Sequence, residues 1–165
     1  MTVPCFSQKV KGLPIDSIQN DIIREFESLD DWLDCYQRII DHGNDMPYME
    51  DCYKTYQNLV DNCSCQVWVY ANMENGLLHF HSYTDELLLN GLISYVTRVL
   101  NGHSPEEILI SKLFFIEATD LEQHISHTRY RDLLQVIIYM RQCAMRYMTD
   151  YQDNSPLLIK MKRMD

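Results

Sequence analysis

The sequence lacks the signatures of several common enzyme classes. It contains no glycine-rich phosphate-binding loop and no serine or histidine nucleophile motif. No apolar run approaches the roughly 18 residues of a membrane-spanning helix, and residues 1–14 show no charged segment followed by an apolar one, the pattern of an export signal. These absences disfavour phosphate-loop chemistry, membrane insertion and export. We therefore expect a cytoplasmic protein. The segment Cys63-Ser64-Cys65 is the main remaining candidate for chemistry, which would then be sulfur chemistry.

Positive charge is also scarce. The chain has 14 lysines and arginines against 24 acidic residues, a formal net charge of -10. Such a surface repels nucleic acid and anionic membranes, so neither is predicted as a partner. The basic cluster at residues 160–163 is interpreted as a solvated end of the chain.

The length of 165 residues suits a single domain, predicted over residues 17–148, with a flexible N-terminal tail at 1–16 and a C-terminal tail at 149–165. A chain of this size buries roughly two thirds of its unfolded surface without needing cross-links. Without an export signal, the six cysteines are expected to be reduced thiols rather than a disulfide framework.

Hydrophobic spacing predicts helices around a small sheet. A first helix is expected at residues 17–28, and a second is expected to end at Gly43, with that glycine in the left-handed conformation. Further helices are expected from Thr84 to Gly102, after Ser104, and from about Thr128. The last helix is expected to bury seven apolar residues: Leu133, Leu134, Ile137, Ile138, Ala144, Met145 and Met148.

Alternating segments at 65–71 and 77–82 flank Asn75-Gly76, a hairpin turn signal. The segment 56–60 could add a further short strand. The predicted fold is α+β, with a small three-stranded antiparallel sheet and helices in two layers.

Cys63 and Cys65 are the leading candidate site. On an extended backbone their thiols would share one face about 7 Å apart, which suits metal sharing or thiol relay. A zinc site completed by His79 and His81 is disfavoured, because the hairpin register places those histidines opposite Asn72 and Tyr70, some 16 Å away by an estimate of about 3.3 Å per residue. No metal site and no bound cofactor are therefore predicted.

The order of these features resembles the SufE family, the sulfur acceptors of iron–sulfur cluster assembly, over about residues 21–146. The resemblance is carried most specifically by residues 62–68, Asn-Cys-Ser-Cys-Gln-Val-Trp, where the family has Gly-Cys-x-Ser-x-Val-Trp. It extends to four further segments: Met46-Pro47, Thr84-Asp85, Asn90-Gly91-Leu92-Ile93 and Gln123-His124-Ile125 with Thr128-Arg129.

The resemblance implies a SufE/IscU-like fold and a role for each matched residue. Cys63 would carry a persulfide, taken from a pyridoxal-phosphate cysteine desulfurase of the SufS type and passed to an iron–sulfur scaffold of the SufBCD type. The protein would stimulate the desulfurase without being a stand-alone enzyme, and it could form a homodimer. Asp85 and Arg129 would support the cysteine loop or dock the partner.

Three departures from the family pattern accompany this resemblance. The glycine before the cysteine is Asn62, which also tolerates positive φ; the serine is Cys65; and a Gly-Leu pair is Asp132-Leu133. Cys65 either replaces the serine as an isostere or attacks a persulfide on Cys63. Two other functions stay open at this point: a metal-binding or scaffold protein of the IscU type, and a dithiol redox protein using Cys63 and Cys65.

Overall fold

An antiparallel hairpin forms the only sheet in the part of the chain that the computed structural model describes, which is residues 13–153, with side chains to residue 150. Strand β1 spans Val67–Glu74 and strand β2 spans Leu77–Thr84. Asn75 and Gly76 join them with φ of 53° and 80°, the left-handed values that a tight hairpin turn requires. His79 pairs with Asn72 and His81 with Tyr70, which confirms the predicted register.

The prediction of a third strand is wrong. Residues Tyr56–Asn58 form a short 3-10 helix, and only Leu59 makes an isolated antiparallel bridge, to Trp68 of β1. The backbone N–H of Val60 also donates to the carbonyl of Val67 at 2.8 Å. Pairing stops there because the chain turns away at Asn62, whose φ is 63°. The sheet therefore has two strands, and the α+β class holds.

Seven α-helices accompany the hairpin within the described residues, beside two 3-10 turns at Asp51–Tyr53 and Tyr56–Asn58. The helices are α1 (Ile15–Glu27), α2 (Trp32–Asn44), α3 (Leu87–Leu100), α4 (Pro105–Ile110), α5 (Phe114–Ala118), α6 (Leu121–His124) and α7 (His127–Asp153). The predicted start of α4 is confirmed: Ser104 and Glu107 form a reciprocal capping box, with Pro105 in the first turn. None of these helices combines the length and apolar composition needed to cross a bilayer.

Helix α3 is the centre of the core, because ten of its residues are buried and it packs on α1, α2, α7 and β2. Its tightest contact is with α2. A Cβ on Gly91 would lie 2.1 Å from the carbonyl oxygen of Ile39, and one on Gly43 would lie 2.7 Å from the Cα of Gly91. The prediction of a left-handed Gly43 is wrong: α2 continues to Asn44, and Gly43 is needed for close helix packing instead.

Helix α7 covers the other side of the core and reaches β1, where the Tyr147 hydroxyl donates to the carbonyl of Ala71 at 2.9 Å. Leu133, Ile137 and Ala144 are buried as expected. Three of the residues predicted on its buried side are instead exposed: Leu134, Ile138 and Met145. The predicted tails at 1–16 and 149–165 lie mostly outside the described residues, and that prediction stays open.

Candidate functional site

Cys63 lies in a loop that is closed at its base by backbone pairing. The hydrogen bond from Val60 to Val67 joins the two ends, so residues 61–66 project from the start of β1. Asn62 is left-handed, a conformation that asparagine adopts more readily than most residues and that reverses the chain directly before the cysteine. The sequence pattern that placed a thiol at the mouth of a strand thus corresponds to a tight, projecting loop.

The carboxylate of Asp132, on the second turn of α7, holds this loop. Its Oδ1 accepts the backbone N–H of Ser64 at 3.0 Å, and its Oδ2 accepts the Ser64 hydroxyl. The Cys63 Sγ lies 3.8 Å from the Asp132 carbonyl oxygen. Asp132 is fully buried. A buried carboxylate costs free energy unless it is paired and hydrogen-bonded, and here the loop provides those hydrogen bonds.

Arg129 provides the matching positive charge. Its Nη1 donates to the Ser64 hydroxyl at 3.3 Å and to the Asp132 carboxylate at 3.4 Å, while its Nε bridges to Glu86 at 3.1 Å. Glu86 in turn caps α3 by accepting the backbone N–H of Leu89 at 2.6 Å. One guanidinium therefore links the cysteine loop to the start of α3 and the start of α7.

The surroundings of the Cys63 thiol favour its protonated form. It is half-buried, and burial, with smaller contributions from Asp132 and Cys65, raises its pKa to about 12. Desolvation disfavours the thiolate, and a nearby carboxylate repels it. At neutral pH the thiol is therefore almost entirely protonated while the loop is closed.

Cys65 faces a different environment from Cys63. Its Sγ lies 3.7 Å from the Thr84 hydroxyl, at the end of β2, and the side chain is half-buried. A contact of this kind suits a serine as well as a cysteine, since a hydroxyl and a thiol can each hydrogen-bond to the threonine hydroxyl. The two thiols thus belong to one loop but contact different elements.

Of the two other predicted supporting residues, Arg129 and Asp85, only Arg129 contacts the Cys63 loop. Asp85 is exposed and accepts a hydrogen bond from the Tyr83 hydroxyl instead. Its neighbour Glu86, which sequence reasoning missed, makes the contact to Arg129.

Asp132 is the main site residue that the sequence did not single out as functional. The available signal was its spacing of three residues from Arg129, which places the two on one helix face. That spacing is typical of a solvated pair, and nothing local shows that the carboxylate is buried against a loop 68 residues earlier in the chain.

The described cysteines are all free: Cys35, Cys52, Cys63, Cys65 and Cys143. Among residues 13–150, no group of three or more metal-ligating side chains converges on one point. The site is therefore a half-buried thiol on a loop that a carboxylate–guanidinium pair anchors through Ser64.

Comparisons with known proteins identify the family of this chain. Residues 20–144 match the family model described as "SufE: Fe-S metabolism associated domain". An uncharacterized SufE-like protein of Rhizobium meliloti is 31% identical over 123 residues, which cover 72% of this chain and 88% of the relative. The SufE-like protein 1 (chloroplastic/mitochondrial) of Arabidopsis thaliana is 26% identical, covering 82% of this chain but 37% of that longer protein.

A solved structure shows the same fold. The solution structure of a hypothetical protein from Thermus thermophilus superposes with a TM-score of 0.67 at 19% identity, covering 80% of this chain and 96% of that one. Membership in the matched family implies sulfur transfer in iron–sulfur metabolism and interaction with a cysteine desulfurase. Because the family model matches residues 20–144, which is most of the chain, this chain belongs to the SufE family.

Proposed function

We propose that this protein is a cytoplasmic sulfur acceptor that takes persulfide sulfur from a cysteine desulfurase onto Cys63, stimulates that enzyme, and passes the sulfur to an iron–sulfur scaffold. The observation that carries the proposal is the position of Cys63 on a projecting loop that Asp132 and Arg129 hold closed. The free state of the described cysteines supports a role that needs reduced thiols.

The transfer is a thiol–persulfide exchange. Cys63 loses its proton to solvent, and its thiolate attacks the outer sulfur of the desulfurase persulfide. A new sulfur–sulfur bond forms on Cys63 while the bond within the desulfurase persulfide breaks, and the desulfurase thiolate leaves and is reprotonated. The exchange needs no outside oxidant or reductant, because the electron pair of the broken bond stays with the departing thiolate.

The raised pKa of Cys63 means that the closed loop does not perform this attack efficiently. We propose that docking on the desulfurase opens the loop, moving the thiol away from Asp132 and into the partner's site. Exposure and separation from the carboxylate both lower the thiol pKa and raise the thiolate fraction. In this scheme the closed loop protects the thiol, and later the persulfide, between partners.

The transfer to the scaffold is a second thiol–persulfide exchange, in which Cys63 is the sulfur donor. A cysteine thiolate of a scaffold complex of the SufBCD type attacks the outer sulfur of the Cys63 persulfide, a sulfur–sulfur bond forms on the scaffold, and the Cys63 thiolate leaves and is reprotonated. The contacts that close the loop, from Ser64 to Asp132 and Arg129, do not involve the Cys63 sulfur and can re-form after each transfer. The protein then needs no resident cofactor, because the pyridoxal phosphate belongs to the desulfurase.

Mass spectrometry tests the proposal directly. After incubation with a SufS-type desulfurase and cysteine, the intact protein is expected to gain about 32 Da, one sulfur atom, localised by fragmentation to Cys63. Cys63→Ser should show no gain and no stimulation of the desulfurase while keeping the circular dichroism spectrum of the parent. Cys52→Ser, which removes an exposed thiol, is the matched control and should behave like the parent. An adduct on another cysteine, or none, would refute the assignment.

A further inference from the structure

The first turns of α7 carry two arginines in different surroundings. Arg129 contacts Glu86, Ser64 and Asp132, so its charge is committed to the closed loop. Arg131 is exposed and makes no hydrogen bond, ion pair or ring contact with any other residue that the structure describes. Arg131 therefore supplies a positive charge that the contacts of the closed site do not use.

Arg131 lies next to the residue that contacts the Cys63 thiol. It directly precedes Asp132, whose carbonyl oxygen is 3.8 Å from the Cys63 Sγ. Because consecutive Cα atoms are about 3.8 Å apart, the Arg131 Cα is at most about 10 Å from this sulfur. An extended arginine side chain reaches roughly 7 Å from its Cα. The guanidinium can therefore come into contact with the Cys63 sulfur without any movement of α7.

The groups around Cys63 act on its thiol in opposite directions. Burial contributes most to the raised pKa, and three neighbouring groups add to it: Asp132, Cys65 and Asp61. The charge of Arg131 has the opposite effect and lowers the pKa of Cys63. Glu86, at the start of α3, reaches this site only through its ion pair with Arg129. Removing the thiol from burial and from Asp132 would thus leave Arg131 as a charge that favours the thiolate.

We propose that Arg131 is a further catalytic residue, whose guanidinium pairs with the Cys63 thiolate when the loop opens for sulfur transfer. This inference rests on the function proposed above for Cys63. An exposed arginine at the start of α7 can extend toward the thiol as it leaves Asp132. During the exchange the negative charge is shared among three sulfur atoms, and a positive charge beside them stabilises the transition state. Arg131 itself exchanges no proton and no electron.

Alkylation of the free protein tests the effect of this charge without a partner. At pH 8 and low ionic strength, Cys63 in Arg131→Gln should react with iodoacetamide about threefold more slowly than in the parent, because less of the thiol is ionised. Arg131→Lys keeps the charge and should react at close to the parent rate. In about 1 M NaCl, where charges are screened within roughly 3 Å, the Gln variant should approach the parent. A difference that salt does not reduce would contradict the proposal, since altered packing does not depend on salt in this way.

Sulfur transfer measures the same effect with the partner present. With saturating desulfurase and cysteine, the gain of about 32 Da on Cys63 should be at least about threefold slower in Arg131→Gln and close to the parent rate in Arg131→Lys. Arg38→Gln, which removes an exposed arginine from α2, is the matched control and should behave like the parent in both experiments.

The outcomes distinguish this role from the function on which it rests. If the parent gains sulfur but Arg131→Gln is alkylated and loaded at the parent rates, the role of Arg131 is refuted and the sulfur-acceptor function stands. Slower loading that excess desulfurase restores, with unchanged alkylation, would assign Arg131 to docking and overturn the catalytic role. A parent that gains no sulfur would refute the acceptor function itself, and the role of Arg131 in transfer with it.

Discussion

Asp132 binds Ser64 twice, accepting its backbone N–H on one carboxylate oxygen and its hydroxyl on the other. This double contact fixes the residue directly after Cys63 and so restricts the position of the thiol. The carboxylate therefore both positions the cysteine and suppresses its ionisation. These two effects can be separated by experiment.

Replacing Asp132 by Asn should make Cys63 more reactive. The substitution removes a negative charge that contributes to the raised thiol pKa, so the folded-state pKa should fall and the alkylation rate should rise at a given pH. We expect at least about a threefold faster reaction of Cys63 with iodoacetamide at pH 8, and a loss of stability of about 1–3 kcal/mol. Rates are measured by mass spectrometry of the modified peptide.

Asp30→Asn provides the control for Asp132→Asn, because it removes the same charge from an exposed position. Its alkylation profile should match that of the parent protein between pH 7 and 10. If the Asp132 variant also kept the parent profile, Asp132 would not suppress the thiol.

Replacing Arg129 by Lys should loosen the cysteine loop. A lysine keeps the charge but cannot contact Glu86, Ser64 and Asp132 together, as the guanidinium does. The amide hydrogen of Ser64 is expected to exchange with solvent about tenfold faster, measured by hydrogen exchange with NMR detection. Arg24→Lys, which alters an exposed arginine–aspartate pair with the same spacing, should leave that amide unchanged. Equal exchange in both variants would contradict a role for Arg129 in closing the loop.

Replacing Cys65 by Ser should preserve sulfur acceptance. Serine can keep the contact with the Thr84 hydroxyl, and it restores the residue that the family pattern carries at this position. The persulfide on Cys63 should form to the same extent, measured as the gain of about 32 Da after incubation with desulfurase and cysteine. If the variant folds but no longer retains or accepts sulfur, Cys65 takes part in the chemistry, and the isostere interpretation is wrong.

Replacing Gly91 by Ala should strongly destabilise the fold. The new Cβ would lie 2.1 Å from the carbonyl oxygen of Ile39, backbone that cannot move without shifting α2 against α3. We expect a loss of about 3 kcal/mol or more in urea unfolding, at the upper end for overpacked sites. Leu87→Ala, on the exposed start of the same helix, should cost much less. A Gly91 variant as stable as the parent would show that α2 and α3 can move apart at little cost in free energy.

The sequence predicted the elements whose determinants are local. Asn75-Gly76 set the hairpin register, and Ser104 with Glu107 set the start of α4, because a turn or cap depends on a few adjacent residues. Cys63 was singled out for the same reason, from a short run of neighbouring residues, and its role as the sulfur-carrying residue stays a prediction.

The errors concern contacts between distant parts of the chain. Gly43 could have ended a helix, but its role is to admit Gly91 from a helix almost fifty residues later. Leu134 and Ile138 fit an apolar helical stripe, but the core does not extend to them. Asp132 stood out in the sequence only as a departure from a glycine of the family pattern, and nothing local indicated its contact with the loop at Ser64. Such pairings depend on tertiary packing, which overrides local pattern.

The contact between Cys63 and Asp132 joins residues that are 69 positions apart in the chain. During synthesis the cysteine is therefore made before the helix that shields it. At about 5–20 residues per second, this interval lasts about 3–14 s. Newly made chains thus pass through a stage at which the Cys63 thiol exists without the helix that later covers it.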